Sequence, residues 1–371
     1  MSGEAADSEL SRAHELMRRY SATGDPELLY DLMQLKVLGQ PVPDRPPGHL
    51  YVLAATALLE RFDRTEETRY LDKAVDMLRG AGAAQPEGDP QLHRILCDLG
   101  TSLRTRFERG GDLADLHEAV ELGRRTAEMT GPGHPDHSGM LSQLGTSLLA
   151  RGERDGKGPA STSAPDLDEA IDCFRRAVAE APSTGLGRAM YLTNLSSALQ
   201  SRFARTGDPA SLDEAVDANQ QALAVLPAGA PPQAAIHANL SRALRWRFGR
   251  YGEQADLDQA IEHARHATEL MGEGNPHLRE IRESLGEALR SRFEWRRDLA
   301  DLDETIAQFR LVAAAVPADH PLRSAYLQRL SSALLVRFGV AGDMADFTES
   351  AACVRPDAAP EVSGESGGLR P

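Results

Sequence analysis

Arginine is the chemistry-bearing side chain that recurs. It stands at Arg61, Arg106, Arg151, Arg202, Arg247, Arg292 and Arg337, and a guanidinium is a planar fork suited to phosphate or carboxylate. Its recurrence points to structure first. An Arg that pairs with Asp or Glu at the start of a following helix, stem over the core, fits strict repetition. A ligand seldom needs seven identical contacts. His263 and His266, three residues apart beside Glu262, have metal-ligand spacing on a helix. The sequence places no third or fourth ligand, so a solvated helix face is the simpler reading. His134, His137, His277 and His320 read as residues of Pro-rich loops. Cys97 follows His93 by one helical turn, so thiol and imidazole can touch. No Gly-rich turn or nucleophile elbow accompanies them to supply an oxyanion hole, and a small buried hydrophobe is the plainer role for Cys97. P-loop, GxGxxG and EF-hand patterns are missing. These residues predict no catalytic group, metal or cofactor, and a protein that is not an enzyme.

Composition narrows the partners. The 371 residues carry 41 Lys+Arg against 56 Asp+Glu, a formal charge of −15. Phosphate binding needs a basic stripe, so nucleic acid is not expected as a partner. No run of 18 apolar residues suggests a membrane span, and the polar N-terminus has no secretory pattern. Cys97, Cys173 and Cys353 lie far apart, which argues against a disulfide framework or a cysteine zinc site and predicts a cytoplasmic location.

The elements that position these residues repeat. Arg-Phe pairs stand at residues 61–62, 106–107, 202–203, 247–248, 292–293 and 337–338, 45 residues apart except for one gap of 96. That gap holds a degenerate copy at Arg151-Gly152 and an insert over 152–165, read as a mobile loop that tolerates drift. A second marker keeps step, as in Asp166-Leu167-Asp168-Glu169-Ala170 and Ser211-Leu212-Asp213-Glu214-Ala215. In one unit Leu192, Leu195, Leu199 and Phe203 form a helical apolar stripe. Arg205-Thr206-Gly207-Asp208-Pro209 then stops the chain, and Ser211-Leu212-Asp213-Glu214 opens a second helix as a capping box. Gly100, Gly145, Ser196, Ser241, Gly286 and Ser331 fall where helices should approach closely, and the recurring Phe should be core. The spacing predicts an all-α array of helix pairs. Residues 1–48 form divergent capping helices, 49–354 seven repeats, and 355–371 a disordered tail. A short last helix should leave Leu330, Leu334 and Phe338 poorly covered, so self-association through the C-terminal repeat is expected.

The pattern Asn194-Leu195-Ser196, Ala198-Leu199, Ala215, Ala222, Pro227 resembles the tetratricopeptide repeat (TPR) in a longer form. The wording R-F-x-R-T-G-D-x-x-x-L-D-E-A is similar to repeats found upstream of caspase-like CHAT domains in bacterial TPR–CHAT proteins. A CHAT domain itself is not within the chain. The resemblance implies a right-handed superhelical α-solenoid whose first helices line a concave groove. The residues expected there are Arg94, Asp98, Thr101 and Arg104; Thr193, Asn194, Ser197 and Gln200; Asn239, Arg242 and Arg245; and Glu287 and Arg290. They vary between units while the stripe does not. Asn194 and Asn239 fall where the family uses Asn to hold a peptide, whereas the lysines of a two-carboxylate clamp have no counterpart. The implied function is a scaffold or adaptor that binds a peptide or protein segment, an acidic one by the Arg set, as the sensory arm of a CHAT-protease-type system. The alternatives are a regulator sensing a peptide or small metabolite in the same groove and, more weakly, an enzyme on an α-solenoid.

Overall fold

Each apolar stripe buries itself only when a neighbouring helix covers it, and the described chain is helix against helix throughout. The computed structural model describes residues 12, 15, 16, 18–20, 22–35, 47–155, 163–227, 229–272, 275 and 277–354. Among these there are fifteen helices of eight or more residues and no strand. They fall into two units, Met1–Gly207 and Asp208–Pro371. The first holds α1 (Pro26–Met33), α2 (Pro47–Thr65), α3 (Thr68–Ala84), α4 (Leu92–Gly110), α5 (Leu113–Thr130), α6 (His137–Asp155), α7 (Ser163–Glu180) and α8 (Leu186–Thr206). The second holds α9 (Pro209–Ala224), α10 (Gln233–Tyr251), α11 (Gln254–Leu270), α12 (Leu278–Arg296), α13 (Leu299–Ala314), α14 (Arg323–Ala341) and α15 (Met344–Val354). Within each unit every helix packs on the next, and first helices also touch each other, α4 on α6, α6 on α8 and α10 on α12. Half of the 152–165 insert, residues 156–162, and the whole 355–371 tail lie outside the described residues, as does much of 1–48; the described ends of the insert belong to α6 and α7 rather than to a loop.

The 45-residue register is the register of the core. Leu58, Leu103, Leu148, Leu199, Leu244, Leu289 and Leu334 stand at one position of successive first helices and all are fully buried. The recurring Phe divides, against expectation. Phe62 and Phe293 are buried, whereas Phe107, Phe203, Phe248 and Phe338 are half-buried. What the Phe position shares is its carbonyl. The N–H of Gly111, Gly207, Gly252 and Gly342 donates to the carbonyl of Phe107, Phe203, Phe248 and Phe338, with the glycine left-handed in each case. Gly24 repeats the device on Tyr20 in the N-terminal segment.

Second helices begin earlier than the capping-box reading placed them. Asp112, Asp208 and Asp298 are the caps, each accepting the N–H two residues on. The later acid therefore sits inside the first turn and serves the recurring Arg. Arg106 forks onto Asp115, Arg151 onto Asp166, Arg247 onto Asp256, Arg292 onto Asp301 and Arg337 onto Asp346, all with N–O distances of 2.6–2.9 Å. Four of these guanidiniums also reach back to the previous repeat, to Asp72 (3.5 Å), Asp213 (3.5 Å), Asp258 (3.0 Å) and Asp303 (2.7 Å). In the first repeat Tyr70 replaces the acid and Arg61 lies 5.8 Å from its ring centroid. A second ladder ties second helices together through Arg79–Glu118, Arg124–Glu169, Arg265–Glu304 and Arg310–Glu349.

The last repeat is better covered than its sequence suggested. Leu330 and Leu334 are 4 % and 0 % exposed, because α15 packs along α14. The exposed large apolar side chains of α14 and α15 are Leu335, Val336, Val340, Met344, Phe347 and Val354.

Candidate functional site

In the first unit the expected groove residues are mostly bound to their own scaffold. Arg94 sits on the Asp136 carboxylate at 2.9 and 3.0 Å, beside His93 Nε2 at 2.9 Å. The His93 and Arg94 hydrogen bonds hold the Asp136 carboxyl below its ordinary range. Arg104 pairs with Glu108 at 2.6 Å. Thr101 accepts from Gln143 at 2.8 Å, and Asn194 donates to Ser142 at 3.3 Å, so these join one first helix to the next. Thr193 donates to the Ala189 carbonyl at 2.8 Å, and Ser197 is half-buried. Gln200 is buried, bonded to Ser196 at 3.1 Å, and is removed from the accessible face. Asp98 and Thr101 line a cavity of only about 210 Å³.

His93, His134 and Asp136 each bring a donor atom within 4.8 Å of the others. All three are engaged locally, with His134 Nδ1 accepting the Asp136 N–H at 3.1 Å. Cys97 stands next to this cluster, and burial, with Asp98 and Asp136 adding, pushes its thiol up to about 11. Such a thiol stays protonated near neutral pH and is a poor nucleophile. His137, taken from sequence as a loop residue, opens α6 and is 2 % exposed, held by Thr130 Oγ1 at 3.1 Å.

The second unit differs. A cavity of about 610 Å³ opens between α10 and α12, and Asn239, Arg242, Arg245 and Glu287 all line it. A second cavity of about 490 Å³ follows between α12 and α14, lined by Glu287, Arg290 and Arg329 among others. Glu287 and Arg329 border both. At the rim charges are matched: Arg329 pairs with Glu283, and Arg290 with Glu287 at 3.0 Å and with Glu294. Arg242 Nη2 donates to Asn239 Oδ1 at 2.9 Å.

Deeper in the cavity the matching stops. Arg245 has no carboxylate partner among the described residues, and its Nε is buried without an acceptor. Burial draws its guanidinium below the usual range; Glu287 opposes that, while Arg329 and Arg290 reinforce it. Ser241 Oγ and Ser284 Oγ, also on the cavity wall, are buried without partners. These three atoms are shut off from the open void, so what the cavity offers a guest is the arginine side chains that line it, Arg242, Arg245 and Arg329. They offer donors at a cationic centre, which is what an anionic group needs.

Sequence reasoning omitted Ser284, Glu283 and Arg329. Two were within reach, because Ser284 and Arg329 stand one and two periods after Asn239. It also missed His237, whose Nδ1 lies 2.9 Å from His263 Nδ1.

No protein-family profile and no curated protein sequence matches the chain. Among solved structures, a STAND-class signal transduction ATPase with a tetratricopeptide repeat sensor, from Pyrococcus horikoshii, aligns with a TM-score of 0.52 at 13 % identity over 96 % of this chain. The chain spans 48 % of that protein's length. A putative kinesin light chain from Podospora anserina with nearly identical TPR-like repeats aligns at 0.41, with 17 % identity over 58 % of this chain and 97 % of its own. The human IFIT1 dimer with m7Gppp-AAAA aligns at 0.47, with 17 % identity over 91 % of this chain and 64 % of its own. No described helix is long and apolar enough to cross a membrane. With helix pairs in a 45-residue register and this structural likeness, the chain carries the tetratricopeptide-like, all-α repeat fold.

Proposed function

We propose that the chain is a repeat-built adaptor that binds an acidic peptide or protein segment in the cavity between α10 and α12. One observation carries the reading: Arg242, Arg245 and Arg329 all line one void of about 610 Å³. A carboxylate placed there would accept hydrogen bonds from these guanidiniums. The adjoining cavity across Glu287 and Arg329 gives a continuing peptide somewhere to lie. The net charge of −15 supports a protein rather than a nucleic-acid partner. A role as the sensory arm of a CHAT-protease-type system belongs to the same proposal, supported by the Arg202-Phe203-Ala204-Arg205-Thr206-Gly207-Asp208 wording.

A peptide array read with the wild type and with Arg245→Leu tests this. Acidic peptides should bind the wild type and weaken at least tenfold on the variant. Equal binding by both proteins would remove Arg245 from the site and the proposal with it. A second reading is a small anionic metabolite, favoured by a cavity volume typical of small-molecule sites. A blank array, together with a small anion retained in native mass spectrometry, would select it.

A further inference from the structure

The fifth repeat carries two histidines at positions that are apolar in the three repeats before it. His237 on α10 and His263 on α11 occupy register positions held by Leu96 and Leu122, Leu141 and Cys173, and Leu192 and Ala218 in the three preceding repeats. Leu96, Leu141, Cys173, Leu192 and Ala218 are all buried. These positions are thus apolar in the three preceding repeats, whereas the following repeat carries Arg282 and Gln308 there. In the fifth repeat they hold two imidazoles whose Nδ1 atoms stand 2.9 Å apart. A third imidazole, His266, lies one turn along α11, its ring centroid 5.5 Å from that of His237. The His237 and His263 centroids are 5.0 Å apart.

Two half-buried imidazoles cost more desolvation than a leucine and an alanine. Their Nδ1–Nδ1 hydrogen bond offsets part of that cost, and a ligand that uses both nitrogens would take its place. Two ligands of a tetrahedral ion with bonds of about 2.0–2.1 Å stand ~3.3 Å apart, so the observed pair needs to open by only about half an ångström. His266 is exposed at the edge of the pair, its nitrogens 3.9 Å from Glu262 and 3.5 Å from Glu269. Glu262 is also close enough to act on the charge of both His237 and His263. The pair is kept neutral, the form that binds metal, because burial lowers both imidazoles.

We propose that His237, His263 and His266 form a half-open site for a borderline divalent transition ion of the zinc type, with solvent or Glu262 completing the shell. The ion would bridge the first and second helices of the fifth repeat. This site is separate from the peptide cavity, whose lining includes none of the three histidines.

Zn2+ titrated calorimetrically into the tag-free full chain at pH 7 is the test. One equivalent should be lost, or bind at least tenfold more weakly, in His237→Leu/His263→Ala. That variant recreates the Leu192/Ala218 pair of the fourth repeat and should therefore fold. His266→Ala, at an exposed position, should weaken binding about tenfold with an unchanged melting temperature. His134→Ala should leave the equivalent in place. An unaltered isotherm in the double variant, or no Zn2+ uptake by the wild type, would overturn the site.

Discussion

Arg245 and His263 have opposite electrostatic positions, and each predicts a sign. Arg245 is a cation whose burial outweighs the attraction of Glu287, so removing its charge relieves the folded protein. Arg245→Leu should leave the melting temperature unchanged or raised while acidic-peptide affinity falls. A large loss of stability would show a structural guanidinium instead. His263 is lowered from 6.5 to about 4 by burial, with His237 adding and Glu262 opposing. Above pH 6.5 the imidazole is neutral folded or unfolded and contributes nothing. As pH falls toward 4 the unfolded chain takes a proton that the folded chain refuses, so stability declines over that window. Urea unfolding of the wild type at pH 7 and pH 5 should differ by more than that of His237→Leu/His263→Ala; equal differences would contradict the shift. At this scale Asn239, Arg242, Arg245 and Glu287 were legible because variation on a repeated helix face is visible in sequence. Their engagement was not. Nothing in Arg94 or Gln200 announces that Asp136 or Ser196 already holds it, since such partners lie on a neighbouring loop or depend on how deeply the turn is buried.

Between helices, close approach decides what a substitution costs. A Cβ on Gly286 would lie 2.5 Å from Phe309 Cε1, whereas on Gly100 its nearest neighbour would be Ala119 O at 3.6 Å. Gly286→Ala should therefore destabilise by about 1–3 kcal/mol through overpacking. Gly100→Ala should be neutral or stabilising, since alanine is the better helix former by about 1 kcal/mol. Equal melting temperatures for the two would show that both gaps are alike. Ion pairs separate in the same way. Arg292→Leu would strand Asp301, which is 4 % exposed, at a cost of about 3–5 kcal/mol. Arg265→Leu breaks a pair whose side chains are 44 % and 30 % exposed, and should cost at most about 1 kcal/mol. Chemical denaturation of the two variants distinguishes them. The helix pairs, their stops and their small residues were readable because periodicity and Gly/Pro punctuation are local signals. The capping position was misread because Asp112 and Asp115 both suit a first turn, and only the guanidinium of Arg106 tells them apart.

For the molecule as a whole, repetition makes each bond a bond to a register position rather than to a unique residue. Arg337 reaches Asp303 behind it and Asp346 ahead of it, and Arg292 reaches Asp258 and Asp301 in the same manner. Excising residues 259–303 would bring Glu304 directly after Asp258, one whole period shorter, and Arg337 would find Asp258 where Asp303 had been. That shortened chain should fold to a helical protein with a cooperative, lower-temperature transition. Removal of 22 residues from the same start should not, because it faces the Leu stripe the wrong way; circular dichroism melts of the two deletions check this. The Arg–Asp clasp thus acts as a coupling of standard gauge: length can be added or subtracted in whole carriages, and a gene that stutters by one period still writes a joinable train.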